Sequence, residues 1–174
     1  DSPFDNPLGE STGAAALFGV TGGVMEAALR TVYEVVTGKE LTKLEFEEIR
    51  GMEGIKAATI DLAGTPVKVA VAHGLRNARQ VMDQIKAGQA DYTFVEIMAC
   101  PGGCIGGGGQ PYRSSDTAAR LTRGDALYQV DEKMPLRKSH ENPAVQQLYK
   151  EFLQQPLGEM SHRLLHTHYK KRGL

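Results

Sequence analysis

Two cysteines, Cys100 and Cys104, are the only thiols in the 174-residue chain, and they stand four apart inside an unusual stretch. Residues 96–111 read Glu-Ile-Met-Ala-Cys-Pro-Gly-Gly-Cys-Ile-Gly-Gly-Gly-Gly-Gln-Pro. Pro101, Gly102 and Gly103 between the thiols allow both to turn toward one point. Six of the eight residues Gly102–Gly109 are glycine, which lets backbone approach a bulky ligand and adopt positive φ. Successive amides in such conformations form an anion-binding concavity, as at iron–sulfur and phosphate sites. Met98 sets a soft thioether beside the same loop. Several chemistries fit this much. A phosphate loop would require Gly-Lys-Ser/Thr, and none follows. A redox disulfide pair normally has Cys-x-x-Cys spacing, and this pair has one residue more. Zinc needs two further ligands; His162 and His166 have helical spacing but lie far along the chain, where solvated or structural histidines are the simpler reading. A four-thiolate cluster also needs two ligands beyond Cys100 and Cys104.

The surrounding pattern shows what must position this loop. Residues 56–73 form two strand-like runs around Ala63-Gly64-Thr65-Pro66, the second of them alternating and β-branched. Residues 75–87 return to helical spacing, with Leu75, Ala78, Val81, Met82 and Ile85 apolar and Gly88 closing. Tyr92–Met98 is again strand-like. A strand, a helix and a strand in so short a span predict a βαβ unit with parallel strands. The last strand runs into the cysteines, and loops past the carboxyl ends of parallel strands are where α/β folds place their chemistry. The fold class expected is therefore α/β, with a βαβ unit leading into a Gly-rich loop and a helical C-terminal end.

Other elements are predicted from local signals. Asp1–Gly13 reads as loop. Thr21 caps a helix of about 15 residues whose apolar face is Val24, Ala28, Val32 and Val35, stopped at Gly38. Thr42 and Glu45 have capping-box spacing and predict a short helix ending at Gly51. Beyond Pro111 the chain reads as mostly helical. Asn142-Pro143 is a helix start, and Glu159–Lys171 reads as one amphipathic helix. Met25 reads as core. Glu96 suits a cap or loop hydrogen bond better than a proton relay.

Composition narrows the function. Twenty Lys and Arg against 21 Asp and Glu give a net charge of −1, so there is no global attraction to nucleic acid or to anionic membrane. No apolar run reaches the length of a membrane span, and no signal-peptide pattern is visible. Two cysteines make no disulfide framework for a chain of this size. The text opens at Asp1 as if in mid-domain, which is expected of a piece of a longer chain.

Residues 96–111 resemble the third cluster-binding motif of the iron-only ([FeFe]) hydrogenases, Glu-x-Met-Ala-Cys-x-Gly-Gly-Cys followed by glycines and Gln-Pro. Phe18–Arg30, Arg137–Pro143 and Leu164–Tyr169 resemble other stretches of the same family, so the likeness runs over essentially the whole chain. The resemblance implies that residues 1–174 are the C-terminal part of a hydrogenase catalytic domain, with 135–174 a small-subunit-like tail. It implies reversible conversion of two protons and two electrons to H₂. Cys100 would ligate a [4Fe–4S] cubane. Cys104 would bridge it to a di-iron subcluster carrying CO, CN⁻ and a bridging dithiolate. Met98 and Phe18 would line the pocket, and Gly102 and Gly103 would leave room for the cluster. One departure is Gly107, where the family often has Asn. The larger one is that the family's other cluster cysteines, a cyanide-contacting lysine and a proton-relay cysteine are not in this chain. The upstream half of the same hydrogenase would supply them, and with them further iron–sulfur clusters and electron exchange with ferredoxin or a flavin/NAD(P)-binding subunit. The alternatives are a hydrogenase-like iron–sulfur sensor or assembly protein without H₂ turnover, and a structural domain with a redox-active Cys100–Cys104 pair.

Overall fold

The computed structural model describes residue 2 and residues 9–62, 64–111 and 116–172. The chain divides into two compact units, Thr12–Ser139 and a smaller one combining Asp1–Ser11 with His140–Leu174.

The larger unit is built on a three-stranded sheet in the order β1-β2-β3. β1 (Ile55–Leu62) and β2 (Thr65–His73) form an antiparallel hairpin, with Ile55 opposite Ala72 and Leu62 opposite Thr65. α3 (Leu75–Lys86) then returns the chain so that β3 (Phe94–Met98) pairs parallel to β2, from Val69–Phe94 to His73–Met98. This is the βαβ unit that the alternation of patterns predicts. β2 is the central strand, and Val69–Ala72 are wholly buried because both faces of the sheet are covered. On one face Val69 and Val71 join Ile60, Leu62, Ile49 and, from α2 (Gly23–Thr37), Met25 and Leu29. On the other, Ala70 and Ala72 pack against Val81 of α3, flanked by Ile55, Ile85, Tyr92 and Val95. α1 (Gly13–Leu17) packs against both α2 and α4 (Thr117–Lys133).

Several local predictions are corrected here. α2 has the expected length, but its N-cap is Gly22, at φ 89°, rather than Thr21. Its buried face is also different. Met25, Glu26, Ala27, Leu29 and Arg30 face inward, while Val24 and Ala28 are half-buried, Val32 is exposed and Val35 is 72% exposed. An apolar-only reading misses this face because two of its members are charged. Arg30, wholly buried, donates from both terminal nitrogens to the Asp131 carboxylate at 2.8 Å each, and also to Glu26 Oε1 at 2.7 Å. Arg50 and Arg137 complete the network on Glu26 and Asp131. The segment after Gly38 is not the predicted helix. Only Glu47–Ile49 forms a 3-10 turn, and the Glu45 carboxylate accepts from Arg137 Nη2 at 2.9 Å. The expected opening loop falls largely outside the described residues, and its last residue, Gly13, already begins α1, capped by the Thr12 hydroxyl.

In the smaller unit α5 (Pro143–Leu148) starts as predicted. The Asn142 side chain accepts from Ala144 N and Val145 N, and Pro143 sits in the first turn. A π-helical turn, Tyr149–Leu153, follows. α6 spans Glu159–Leu165 only, so the tail is not one helix to Lys171. Its C-cap, His166, has extended backbone, although its ring still lies 4.3 Å from that of His162. Among the described residues no helix is long and apolar enough to cross a membrane.

Candidate cluster-binding loop

The parallel strands β2 and β3 end side by side at His73 and Met98, and the Met98 carbonyl accepts from Gly74 N at 2.8 Å. The chain leaves β3 there and enters the cysteine loop, so the loop stands past the carboxyl ends of parallel strands, as the sequence predicts. It folds on itself. Gly103 N donates to the Cys100 carbonyl at 3.0 Å, Gly106 N to that of Gly103 at 3.0 Å, and Gly107 N to that of Cys104 at 3.1 Å. Gly102 and Gly103 lie at φ 82° and 93°, the left-handed region that favours glycine. Cys104 opens a 3-10 turn and is exposed, whereas Cys100 is half-buried; both are free thiols. Met98 is half-buried at the end of β3.

A second segment lies across this loop. Between α1 and α2, residues 18–22 form a short strap. Thr21 N donates to the Gly102 carbonyl at 3.0 Å, and Ile105 N donates to the Gly19 carbonyl at 3.2 Å. The approach is so close that a Cβ on Gly103 would stand 2.8 Å from Gly19 O and 2.9 Å from Thr21 N. Phe18, 48% exposed, caps α1 at the head of this strap, so the structure sets it one residue from a backbone bonded to the cysteine loop. Thr21 is buried, and its hydroxyl has no hydrogen-bond partner among the described residues. From α4, Arg123 Nη1 donates to the Ile105 carbonyl at 2.9 Å.

Beneath the loop sits Glu96, buried on β3. Its two carboxylate oxygens accept from Gly22 N at 2.6 Å and Met25 N at 2.7 Å, the first amides of α2. This is the cap that sequence reasoning favours, although it reaches a helix 71 residues away in the chain. Burial pushes the Glu96 carboxyl up, while the α2 amides and Lys56 pull the other way. Lys56 is buried below, its ammonium held by the carbonyls of Ile49 and Gly51; desolvation pushes it down to about 8 against the attraction of Glu96 and Glu53. The strap, Arg123 and Lys56 are not legible in the sequence. Only the cluster of glycines in Gly19–Gly23 hints that backbone passes close to something there.

The donor set suits an iron–sulfur cluster in part. Two free thiols leave one loop. The nearest glycine clears space beside one of them, since a Cβ on Gly107 would lie 3.3 Å from Cys100 Sγ. Gly108 and Gly109 have open space around them. Two thiolates supply half of a cubane's four ligands.

Comparison with known proteins decides the family. Residues 1–108 match the family "Iron only hydrogenase large subunit, C-terminal domain", and residues 117–172 match "Iron hydrogenase small subunit". The chain belongs to the iron-only hydrogenase family. It is 55% identical over 172 residues to the NADP-reducing hydrogenase subunit HndD of Solidesulfovibrio fructosivorans, covering 99% of this chain and 29% of that one. It is 59% identical over 111 residues to the periplasmic [Fe] hydrogenase large subunit of Nitratidesulfovibrio vulgaris, covering 64% of this chain and 26% of that one. The solved structure of the [FeFe]-hydrogenase HydA1 from Chlamydomonas reinhardtii superposes with a TM-score of 0.70 at 48% identity, covering 95% of this chain and 48% of that chain. The α/β architecture described above is thus that of the C-terminal domain of iron-only hydrogenases. This chain spans less than a third of the length of the HndD relative and about half of the solved hydrogenase chain.

Proposed function

We propose that the chain carries half of the cluster-binding site of an H₂-converting [FeFe] hydrogenase. The observation that carries this reading is the cysteine loop itself: two free thiols on a glycine loop past parallel strand ends, in a chain of this family. Cys100 and Cys104 would be the thiolates that hold the group, Cys100 as a ligand of its [4Fe–4S] cubane and Cys104 as the ligand through which the di-iron unit is attached. Met98 and Phe18 would line the pocket, and Gly102 and Gly103 would serve the cluster through the left-handed turn that they give the loop, since the space a Cβ would take at each is already filled by protein atoms. When bound, the group supplies the reversible interconversion of two protons, two electrons and H₂. The protein's contribution is to hold it, to exclude water and to offer backbone donors to its anionic ligands. The remaining ligands come from the upstream half of the same hydrogenase. Residues 135–174 serve as its small-subunit-like tail.

Electrons reach this site through further iron–sulfur clusters upstream. A ferredoxin or a flavin/NAD(P)-binding subunit is the partner, and the likeness to an NADP-reducing hydrogenase subunit favours the latter. The location that goes with this reading is the cytoplasm.

The test uses the longest natural form of this chain, matured with its cluster. Cys104→Ala removes H₂ evolution and hydrogen–deuterium exchange to background. Met98→Ala keeps iron content and lowers turnover. Full hydrogenase activity in Cys104→Ala would overturn the assignment. Iron bound by wild type without any H₂ chemistry would turn the reading to an iron–sulfur sensor or assembly role.

A further inference from the structure

Glu96 closes a ring. The chain runs from Glu96 through Met98 and Cys100 to Gly102. The Gly102 carbonyl is bonded to Thr21 N at 3.0 Å, Thr21 is followed by Gly22, and Gly22 N returns to Glu96 Oε1 at 2.6 Å. The second oxygen fixes Met25 N at 2.7 Å, so the carboxylate holds the start of α2 in both position and direction. α2 has no capping side chain of its own: its N-cap is Gly22, in the left-handed region. Its orphan amides are satisfied by a carboxylate from β3, the strand that delivers the cysteines. A charge-assisted pair of this kind is stronger than a neutral cap, and here it is buried, where losing it leaves two amides without partners. The strap has little freedom once α2 is fixed, because it also receives Ile105 N at Gly19 O and leaves no room for a Cβ on Gly103.

We propose that Glu96 is a positioning residue for the cluster: by tying the N-terminus of α2 to β3 it fixes the 18–22 strap, and the strap fixes the cysteine loop. This rests on the reading of Cys100 and Cys104 as cluster ligands, but the mechanical claim is testable on the chain without any cluster. A plain helix cap would act on α2 alone. A positioning residue also acts on amides that it does not touch, at Thr21 and Ile105, and on the thiols between them.

The experiment measures amide hydrogen exchange by NMR, together with the native-state reaction rates of Cys100 and Cys104 with a small thiol reagent, in wild type, Glu96→Gln and Glu96→Asp. Gln keeps the size but loses one acceptor oxygen, so one amide of α2 faces an NH₂ group. In Glu96→Gln, Thr21 and Ile105 are expected to exchange about tenfold faster or more, in step with Gly22 and Met25, for loss of a buried charge-assisted bond. The half-buried Cys100 gains reactivity toward that of exposed Cys104. Asp, which keeps both oxygens, restores part of the protection. If Gln speeds Gly22 and Met25 only, with Thr21, Ile105 and the thiol rate ratio unchanged, Glu96 is a helix cap and the proposal fails. Should Glu96→Gln not fold, wild type still decides: Thr21 and Ile105 amides that exchange as freely as those of Gly108 and Gly109 would show that the strap does not hold the loop. Iron and sulfide uptake is counted on the longest natural form in parallel. A wild type that binds no iron overturns the cluster reading and leaves the exchange result standing; equal exchange and equal iron in wild type and Glu96→Gln overturns the positioning role.

Discussion

At Gly103 one methyl group decides whether the loop and the strap can meet. A Cβ there would press on Gly19 O and Thr21 N at less than 3 Å, and the residue sits at φ 93°. Gly103→Ala is expected to lower stability by roughly 2 kcal/mol or more, from backbone strain plus displaced hydrogen bonds. Gly108→Ala, with open space around it, is expected to stay within about 0.5 kcal/mol of wild type. Urea unfolding of the two variants measures the contrast, and equal losses would mean that the loop is not clamped. The cysteine loop was legible in the sequence because its residue types are rare in combination: two thiols, a thioether and six glycines. The residues that hold it were not. Thr21, Arg123 and Lys56 act through backbone atoms or through carbonyls brought in from elsewhere, and neither leaves a pattern of side-chain types.

Among the elements, α2 and α4 are joined by ions rather than by oil. Arg30 is wholly buried between Glu26 and Asp131, and the Arg30 and Arg137 guanidiniums hold the Asp131 carboxyl below its usual range although burial works the other way. Removing one partner leaves an unpaired buried charge, so Asp131→Asn is expected to cost about 3–5 kcal/mol. Asp131 and Glu45 both have lowered folded-state values, so each contributes stability that is fully present above the ordinary carboxylate value and is lost as pH falls from there through the lowered folded-state value. Stability of the larger unit should therefore fall steeply below about pH 4, and Asp131→Asn should flatten that acid limb. Chemical denaturation across pH 2 to 7 checks both; an unchanged acid limb in the variant would place the loss elsewhere. The same network explains where sequence reading failed. The βαβ unit was legible because the sequence alternates between strand-like and helix-like apolar spacing. The burial is less regular than that spacing: β2 is buried continuously from Val69 to His73, and Leu75 and Met82 of α3, expected on its apolar face, are exposed while Ala78 and Val81 are buried. α2 was assigned the wrong face because its buried face includes Glu26 and Arg30, whose partners lie far away in sequence. The capping-box signal of Thr42 and Glu45 is equally local, and the Glu45 side chain is taken by Arg137 instead. The tail helix ends at Leu165 although its polar and apolar spacing continues.

At the scale of the whole molecule the ligand count governs. The family membership is plain, and so is the arithmetic: this chain offers two thiols, both on one loop, where a cubane takes four ligands. The chain on its own should accordingly not hold a complete active cluster, and iron counted on it after reconstitution should fall short of a cubane per chain. The most direct measurement is infrared spectroscopy of the longest natural form, matured, in the window between the protein and water bands, with iron and acid-labile sulfide counted on the same sample. The account predicts CO and CN⁻ bands together with iron, the bands being lost in Cys104→Ala while iron of the upstream clusters remains. A fully iron-loaded wild type with H₂ turnover and no such bands, or bands that persist unchanged in Cys104→Ala, would contradict it.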